Sequence, residues 1–87
     1  DLALALAVAS AAKGLALPAG LVAIGEVGLA GEIRKVSGVN RRLQEAYRLG
    51  FKRALVPTGS DTKIDGMEIV EVSRLDAALK RVKITGE

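Results

Sequence analysis

Seven lysines and arginines fall between positions 34 and 53: Arg34, Lys35, Arg41, Arg42, Arg48, Lys52 and Arg53, against a single acid, Glu45. That segment carries a formal charge of +6, whereas the whole 87-residue chain carries +3. Such concentration suits the phosphate backbone of a nucleic acid, because each neutralised phosphate releases condensed counterions and the affinity becomes salt-dependent. The plainer use of the same residues is to keep an exposed helix face in water. With one Tyr, one Phe and no Trp, there is no aromatic platform on which bases could stack. Any nucleic-acid contact would therefore be directed to the backbone and largely independent of sequence.

Other chemistries find less support. Cysteine and histidine are absent, which removes disulfides, thiolate nucleophiles, the usual zinc sites and histidine acid–base catalysis. A nucleophile would have to be a Ser–Lys or Thr–Lys arrangement, yet Ser10, Ser37, Ser60 and Ser73 read as members of a helix, a turn, a loop and a helix cap. Gly25, Gly28 and Gly31 recur every third residue without the spacing of a dinucleotide or P-loop motif, and read as hairpin glycines. Asp61 and Asp65 share a loop with Lys63 and lack the pattern of a calcium loop, so solvated charge accounts for them.

The elements that must position the basic cluster can be read in order. Asp1 to about Ala12 alternates Leu and Ala so strictly that periods of 2 and 3.6 both fit; its alanine content, Asp1 at the start and Gly14 at the end favour a buried helix. Leu17 to Gly20 is a turn, and Leu21 to Val27 reads as one nearly continuous apolar strand with Gly25 permitting a bulge or a close backbone approach. After the turn Gly28 to Gly31, Glu32 to Val36 alternates as its hairpin partner. A helix follows from about Val39 to Leu49, with Val39, Leu43, Ala46 and Tyr47 on one face and Gly50 as its C′ residue. Phe51 to Pro57 is a strand, Thr58 to Gly66 a polar loop and Met67 to Val72 another strand. Ser73, with Asp76 three residues on, reads as the N-cap of a last helix whose apolar stripe is Leu75, Ala78, Leu79 and Val82. The expected fold is α+β: a small mixed sheet with covering helices and a βαβ crossover from Glu32 to Pro57.

Length bounds this to one small domain burying about 60–65% of the surface of its unfolded chain. Its core must be Leu, Val, Ile and Ala, which is thin for a solitary protein, so neighbouring surfaces are expected to help. The start at Asp1, inside an apolar run, suggests an excerpt of a longer chain. That run lacks the basic leader of a signal peptide, and Lys13 and Pro18 interrupt it before the roughly 20 apolar residues of a membrane span. No membrane association is expected, and a cytoplasmic location is.

The stretch GEVGLAGEIRKVSGVNRRLQEAYRLGFKRALVP, continued by GMEIVEVSRLDAALKRV and preceded by DLALALAVAS, resembles the proteolytic domain of Lon-type proteases. More closely it resembles the Lon-like C-terminal domain of RadA-type (Sms) bacterial DNA-repair proteins, and the likeness covers nearly the whole chain. Lon-type proteases use a Ser–Lys dyad whose lysine opens the helix after the second strand. Here that motif reads Ser37-Gly38-Val39-Asn40, so Asn40 stands at the lysine position, while the serine position falls upstream of Asp1. Asparagine is neutral and cannot serve as the general base. The resemblance implies a Lon-like, non-catalytic domain that scaffolds a hexameric ring on DNA during branch migration. It implies contacts with single- or double-stranded DNA, and a recombinase partner. No cofactor is implied in this segment; ATP, Mg and Zn are expected elsewhere in the parent protein, a DNA-dependent ATPase or helicase. The first-choice DNA contacts are Arg34, Lys35, Arg41 and Arg42, with Arg48, Lys52 and Arg53 behind them. The alternatives are a fragment of an ATP-dependent Ser–Lys peptidase and a structural module whose arginines only confer solubility.

Overall fold

From Arg53 to Pro57 every side chain but the first is apolar, and a strand with two apolar faces needs cover on both. The computed structural model describes Leu2 and residues 20–85, the side chains of residues 79 and 82–85 excepted. In chain order its elements are Leu21–Ala23 (β1), Glu26–Val27 (β2), Ile33–Arg34 (β3), Val39–Arg48 (α1), Arg53–Pro57 (β4), Glu68–Val72 (β5) and Leu75–Thr85 (α2). β4 is the middle of a three-stranded parallel sheet, with β1 and β5 at its sides. β2 and β3 form a separate antiparallel ribbon in which Val27 lies opposite Ile33. The fold is thus α+β with mixed pairing, the two kinds of pairing being divided between two sheets.

Alternation along β4 sends Leu55 to one face and Ala54 and Val56 to the other. On the first face Leu55 packs with Leu2, Ile33, Val72 and Ala78, so the ribbon and α2 are its roof. On the second, Ala54 and Val56 pack with Ile24, Val39 and Leu43, so α1 is the cover. Val39, Leu43 and Ala46 of α1 are buried as their spacing predicts, while Tyr47 stays 37% exposed at the edge of the stripe. Gly50 ends the helix at φ 100°. Its N–H donates to the Tyr47 carbonyl (3.0 Å) and that of Phe51 to the Ala46 carbonyl (3.0 Å), a Schellman closure.

The expected single strand Leu21 to Val27 is two. It breaks at Ile24-Gly25, where the Ile24 N–H donates to the Leu55 carbonyl and the Gly25 carbonyl accepts from the Leu2 N–H, each at 2.9 Å. A β-carbon on Gly25 would lie 3.2 Å from Ile33 Cγ2 and 3.3 Å from Pro57 Cγ, so the close backbone approach expected there is present. The break moves the crossover: its first strand is β1, paired in parallel with β4, rather than the segment from Glu32, which belongs to the ribbon. Ser73 is not the cap of the last helix either. Its carbonyl accepts the Ile33 N–H (2.9 Å), Arg74 bridges to Glu32, and α2 starts at Leu75, whose N–H donates to the Gly31 carbonyl (2.9 Å). The expected first helix and the turn at 17–19 lie outside the described residues, apart from Leu2, which is helical and fully buried. Leu75 and Ala78 of the last stripe face the first core; the side chains of Leu79 and Val82 are also outside the description.

Leu43, at 0% exposure between α1 and the sheet, and Leu49, at 71% on the helix end, set a direct contrast. Leu43→Ala is expected to lower the unfolding free energy by about 2–5 kcal/mol. Leu49→Ala should change it by no more than about 0.5 kcal/mol. Urea unfolding of both variants followed by circular dichroism checks the difference, and similar losses would contradict this packing.

Candidate nucleic-acid interface

The turn from β3 into α1 is Lys35-Val36-Ser37-Gly38, and Gly38 enters the helix at φ 71°, in the left-handed region. No side chain caps this end, and the first turn contains no acid. The leading amides of α1, those of Val39, Asn40 and Arg41, therefore keep their partial positive charge. Arg41 and Arg42 add two full charges in the same place, opposite to the usual preference of a helix start. Lys35, Arg41 and Arg42 are exposed, and no ion pair to them is formed among the described residues.

The other four basic residues are differently placed. Arg34 binds Glu32 at 2.7 Å, Arg48 binds Glu45 one turn back at 3.2 Å, and Arg53, only 23% exposed, binds Glu68 across the β4–β5 pair at 3.2 Å. The Lys52 ammonium lies 4.8 Å from the centre of the Tyr47 ring. Exposed pairs of this sort contribute at most about 1 kcal/mol, so a phosphate can compete for Arg34 and Arg48. Arg48, Lys52 and Arg53 nevertheless sit at the C-terminal end of α1, one helix length of about 15 Å from the cluster at its start. The seven residues thus divide into Lys35, Arg41 and Arg42 around the N-terminus of α1, Arg34 of β3 paired with Glu32, and a partly neutralised group of Arg48, Lys52 and Arg53 at the other end of the helix.

Three open depressions adjoin at the Ser37-Gly38 turn. One of about 510 Å³ runs along α1 past Arg41, Arg42 and Glu45. A second of about 510 Å³ continues from Ser37 and Arg42 to the backbone of Ile24, Gly25 and Glu26. The third, of about 380 Å³, opens on the opposite flank of the helix, where Asn40 meets Lys35, Gly59, Ser60 and Thr62. Asn40 is exposed there, and the Ser60 hydroxyl donates to the Pro57 carbonyl at 2.6 Å.

Glu71 holds the loop that borders the third depression. It lies on the same face of β5 as Ile69, and its carboxylate accepts the N–H groups of Gly59 (3.0 Å) and Asp61 (3.3 Å). That clamp holds the loop over Lys35, whose Cε and Nζ would lie 3.1 Å from a β-carbon on Gly59. Reading residues 58–66 as a solvated loop misses this role. The available signal is an acid where the alternation of Met67 and Ile69 along β5 would continue with an apolar residue.

Glu32 organises the ribbon turn. Its carboxylate accepts from Arg34 (2.7 Å) and from the Ala30 N–H (3.1 Å), while Arg74 donates to the Ala30 carbonyl (3.1 Å). The hydrogen bond from Arg34 first, then those from backbone N–H groups, hold its carboxyl below the ordinary value of 4.5.

Among known proteins, residues 1–60 match the family described as subunit ChlI of Mg-chelatase. The chain is 48% identical over 83 residues to the DNA repair protein RadA of Mycolicibacterium smegmatis, covering 95% of this chain and 18% of that protein. It is 54% identical over 80 residues to the DNA repair protein RadA of Mycobacterium tuberculosis (92% and 17%). To the DNA repair protein RadA of Escherichia coli it is 48% identical over 81 residues (91% and 18%). The chain therefore spans less than a fifth of the length of these relatives. Among the described residues no helix is long and apolar enough to cross a membrane.

A depressed carboxyl stabilises the folded turn above the unfolded-state value and ceases to do so as the pH falls through the folded-state value. The amide resonance of Ala30 should accordingly titrate with a midpoint below 4.5, and Glu32→Gln should abolish that step. A midpoint at or above the ordinary glutamate value would show that Arg34 is not held by Glu32 in solution.

Proposed function

Because the chain belongs to the family described as subunit ChlI of Mg-chelatase and is about half identical to a stretch of bacterial DNA repair protein RadA, we propose that it is a non-catalytic domain of a RadA-type DNA-repair protein, Lon-like in fold. Its second task, beside scaffolding a hexameric ring, is to hold the phosphate backbone of DNA during recombinational branch migration. The parent protein would be a cytoplasmic DNA-dependent ATPase, with its ATP, Mg and Zn sites outside this segment and a recombinase as partner.

The observation that carries the DNA reading is the start of α1, where uncapped amides, Arg41 and Arg42 coincide with no acid in the first turn. A helix begun this way forgoes the favourable interaction that an Asp or Glu would provide, and gains a concentrated positive potential in return. Lys35 extends that potential across the Ser37-Gly38 turn, and Arg34 joins it where phosphate displaces Glu32. Arg48, Lys52 and Arg53 are secondary contacts. The non-catalytic reading is supported by Asn40, which cannot take a proton from a serine, and by Ser60, whose hydroxyl is directed to a backbone carbonyl.

Binding of DNA measured over a salt series tests this reading, with the chain alone and within the longer protein. Each lost phosphate contact should lower the slope of log affinity against log salt by about 0.9. Arg41→Ala combined with Arg42→Ala should therefore weaken binding equally for unrelated sequences and reduce the slope by nearly 2 in all. An unchanged affinity and slope would leave the arginines as solubilising residues only.

A further inference from the structure

Of the four aspartates, at positions 1, 61, 65 and 76, one is followed by glycine: Asp65-Gly66, in the loop between β4 and β5. The Ile64 carbonyl accepts the Met67 N–H at 3.1 Å, which closes a turn with Asp65 and Gly66 at its centre and Gly66 at φ 85°. Both central residues are exposed. The Asp65 carboxylate forms no hydrogen bond or ion pair with any described group, and the Gly66 N–H donates to none. The other described aspartates are placed differently. Asp61 is followed by the branched Thr62, and Asp76 lies in the first turn of α2, where its Oδ1 accepts the Ala77 N–H at 2.8 Å. At Asp65 alone among them, a free carboxyl group stands beside an unengaged amide nitrogen whose residue has no side chain to shield it.

We propose that Asp65-Gly66 is a self-modification site, where the folded chain isomerises to isoaspartate. The Gly66 nitrogen attacks Asp65 Cγ, and the new N–Cγ bond closes a cyclic imide as the carboxyl hydroxyl and the amide proton leave together as water. Water then adds to the main-chain carbonyl carbon of Asp65 and breaks its bond to the nitrogen. The peptide link now runs through Cβ and Cγ, and the former main-chain carbonyl is a free carboxylate. Composition and charge are unchanged, but the backbone is one atom longer. The new carboxylate is the acceptor class of methyltransferases that act on altered aspartates. Packing registers the change, because the Tyr47 hydroxyl lies 2.7 Å from where a β-carbon on Gly66 would sit, with the Lys52 ammonium over the same ring. A longer chain beside Gly66 displaces the ring that ties this loop to the C-terminal end of α1. The site does not depend on the nucleic-acid reading.

Incubation of the folded 87-residue chain at neutral pH, sampled over weeks and probed with a protein-isoaspartate carboxyl methyltransferase and a labelled methyl donor, tests the proposal. Label is expected in the peptide of residues 64–74 released by cleavage after Lys63 and Arg74, and that peptide should take up heavy oxygen when the water carries it. The folded chain should accumulate product no more than about tenfold more slowly than the free peptide of residues 63–68, since neither reacting group has to be released first. The Tyr47 ring resonances should split in proportion to the labelled fraction. Asp65→Glu, whose longer side chain would have to close a larger ring, should lose the label, and thermal unfolding verifies that this variant is folded. Absence of label from residues 64–74 in the folded protein, label there that persists in Asp65→Glu, or a retardation well beyond tenfold relative to the free peptide would overturn the proposal, whatever the salt series shows for Arg41 and Arg42.

Discussion

Because β4 is bonded on both edges by parallel neighbours and covered on both faces by separate apolar clusters, it has no surface left to give to water. Ala54, Leu55 and Val56 are between 0% and 2% exposed. Everything functional hangs on that burial. β1 must run parallel to β4, so the chain has to leave β1, cross over and return, and α1 is the piece that covers the second face on the way. The start of α1 and the loop after β4 then necessarily meet at the same end of the sheet. The loop after β4 is short of helix and rich in polar residues, and it is held by Glu71 instead of by a core of its own. The meeting place of Lys35, Asn40 and Thr62 is a consequence of the sheet's topology.

Much of this was legible in the residues. The i, i+4, i+7 pattern identified Val39, Leu43 and Ala46 as the buried stripe of α1, because a helix flanking a sheet is governed by period alone. Gly50 was recognisable as a helix stop because the left-handed C′ position selects glycine. The division of Leu21 to Val27 was not legible. An apolar run does not reveal that its two halves pair with different partners; only the close approach of Ile33 and Pro57 to Gly25 requires it. Ser73 misled for a similar reason: the local capping pattern was present, but a long-range bond from Ile33 claimed its carbonyl and moved the helix start to Leu75. Basic residues were legible as a count and not as a site, since ion pairing with Glu32, Glu45 and Glu68 depends on register and helix phase.

The electrostatics of α1 are asymmetric in an instructive way. At its C-terminal end Arg48 lies where a cation complements the helix dipole, and the chain closes with a well-bonded Schellman turn. At its N-terminal end the dipole is opposed by Arg41 and left without a cap. Helices pass such a fault only where packing supplies the stability, and here Val39 and Leu43, 8% and 0% exposed, hold the first turn against the sheet. Burial of one face thus permits an unfavourable charge arrangement on the other. Local stability and surface potential are set by different residues of the same turn, which is why the arginines can be altered without dismantling the core.

Asn40 fits the same logic. Its neighbours across the depression include Lys35, whose ammonium approaches Gly59 and has no carboxylate in the lining to balance it. A lysine at position 40 would bring a second ammonium to a helix end that is already positive, and the mutual repulsion would push one of the two toward its neutral form. That is useful where a general base is needed and unhelpful where an anion is to be held. Asparagine keeps a hydrogen-bond donor at the site while removing both the base and the repulsion. With asparagine at position 40 the start of α1 keeps a hydrogen-bond donor and has no side chain there that takes up a proton.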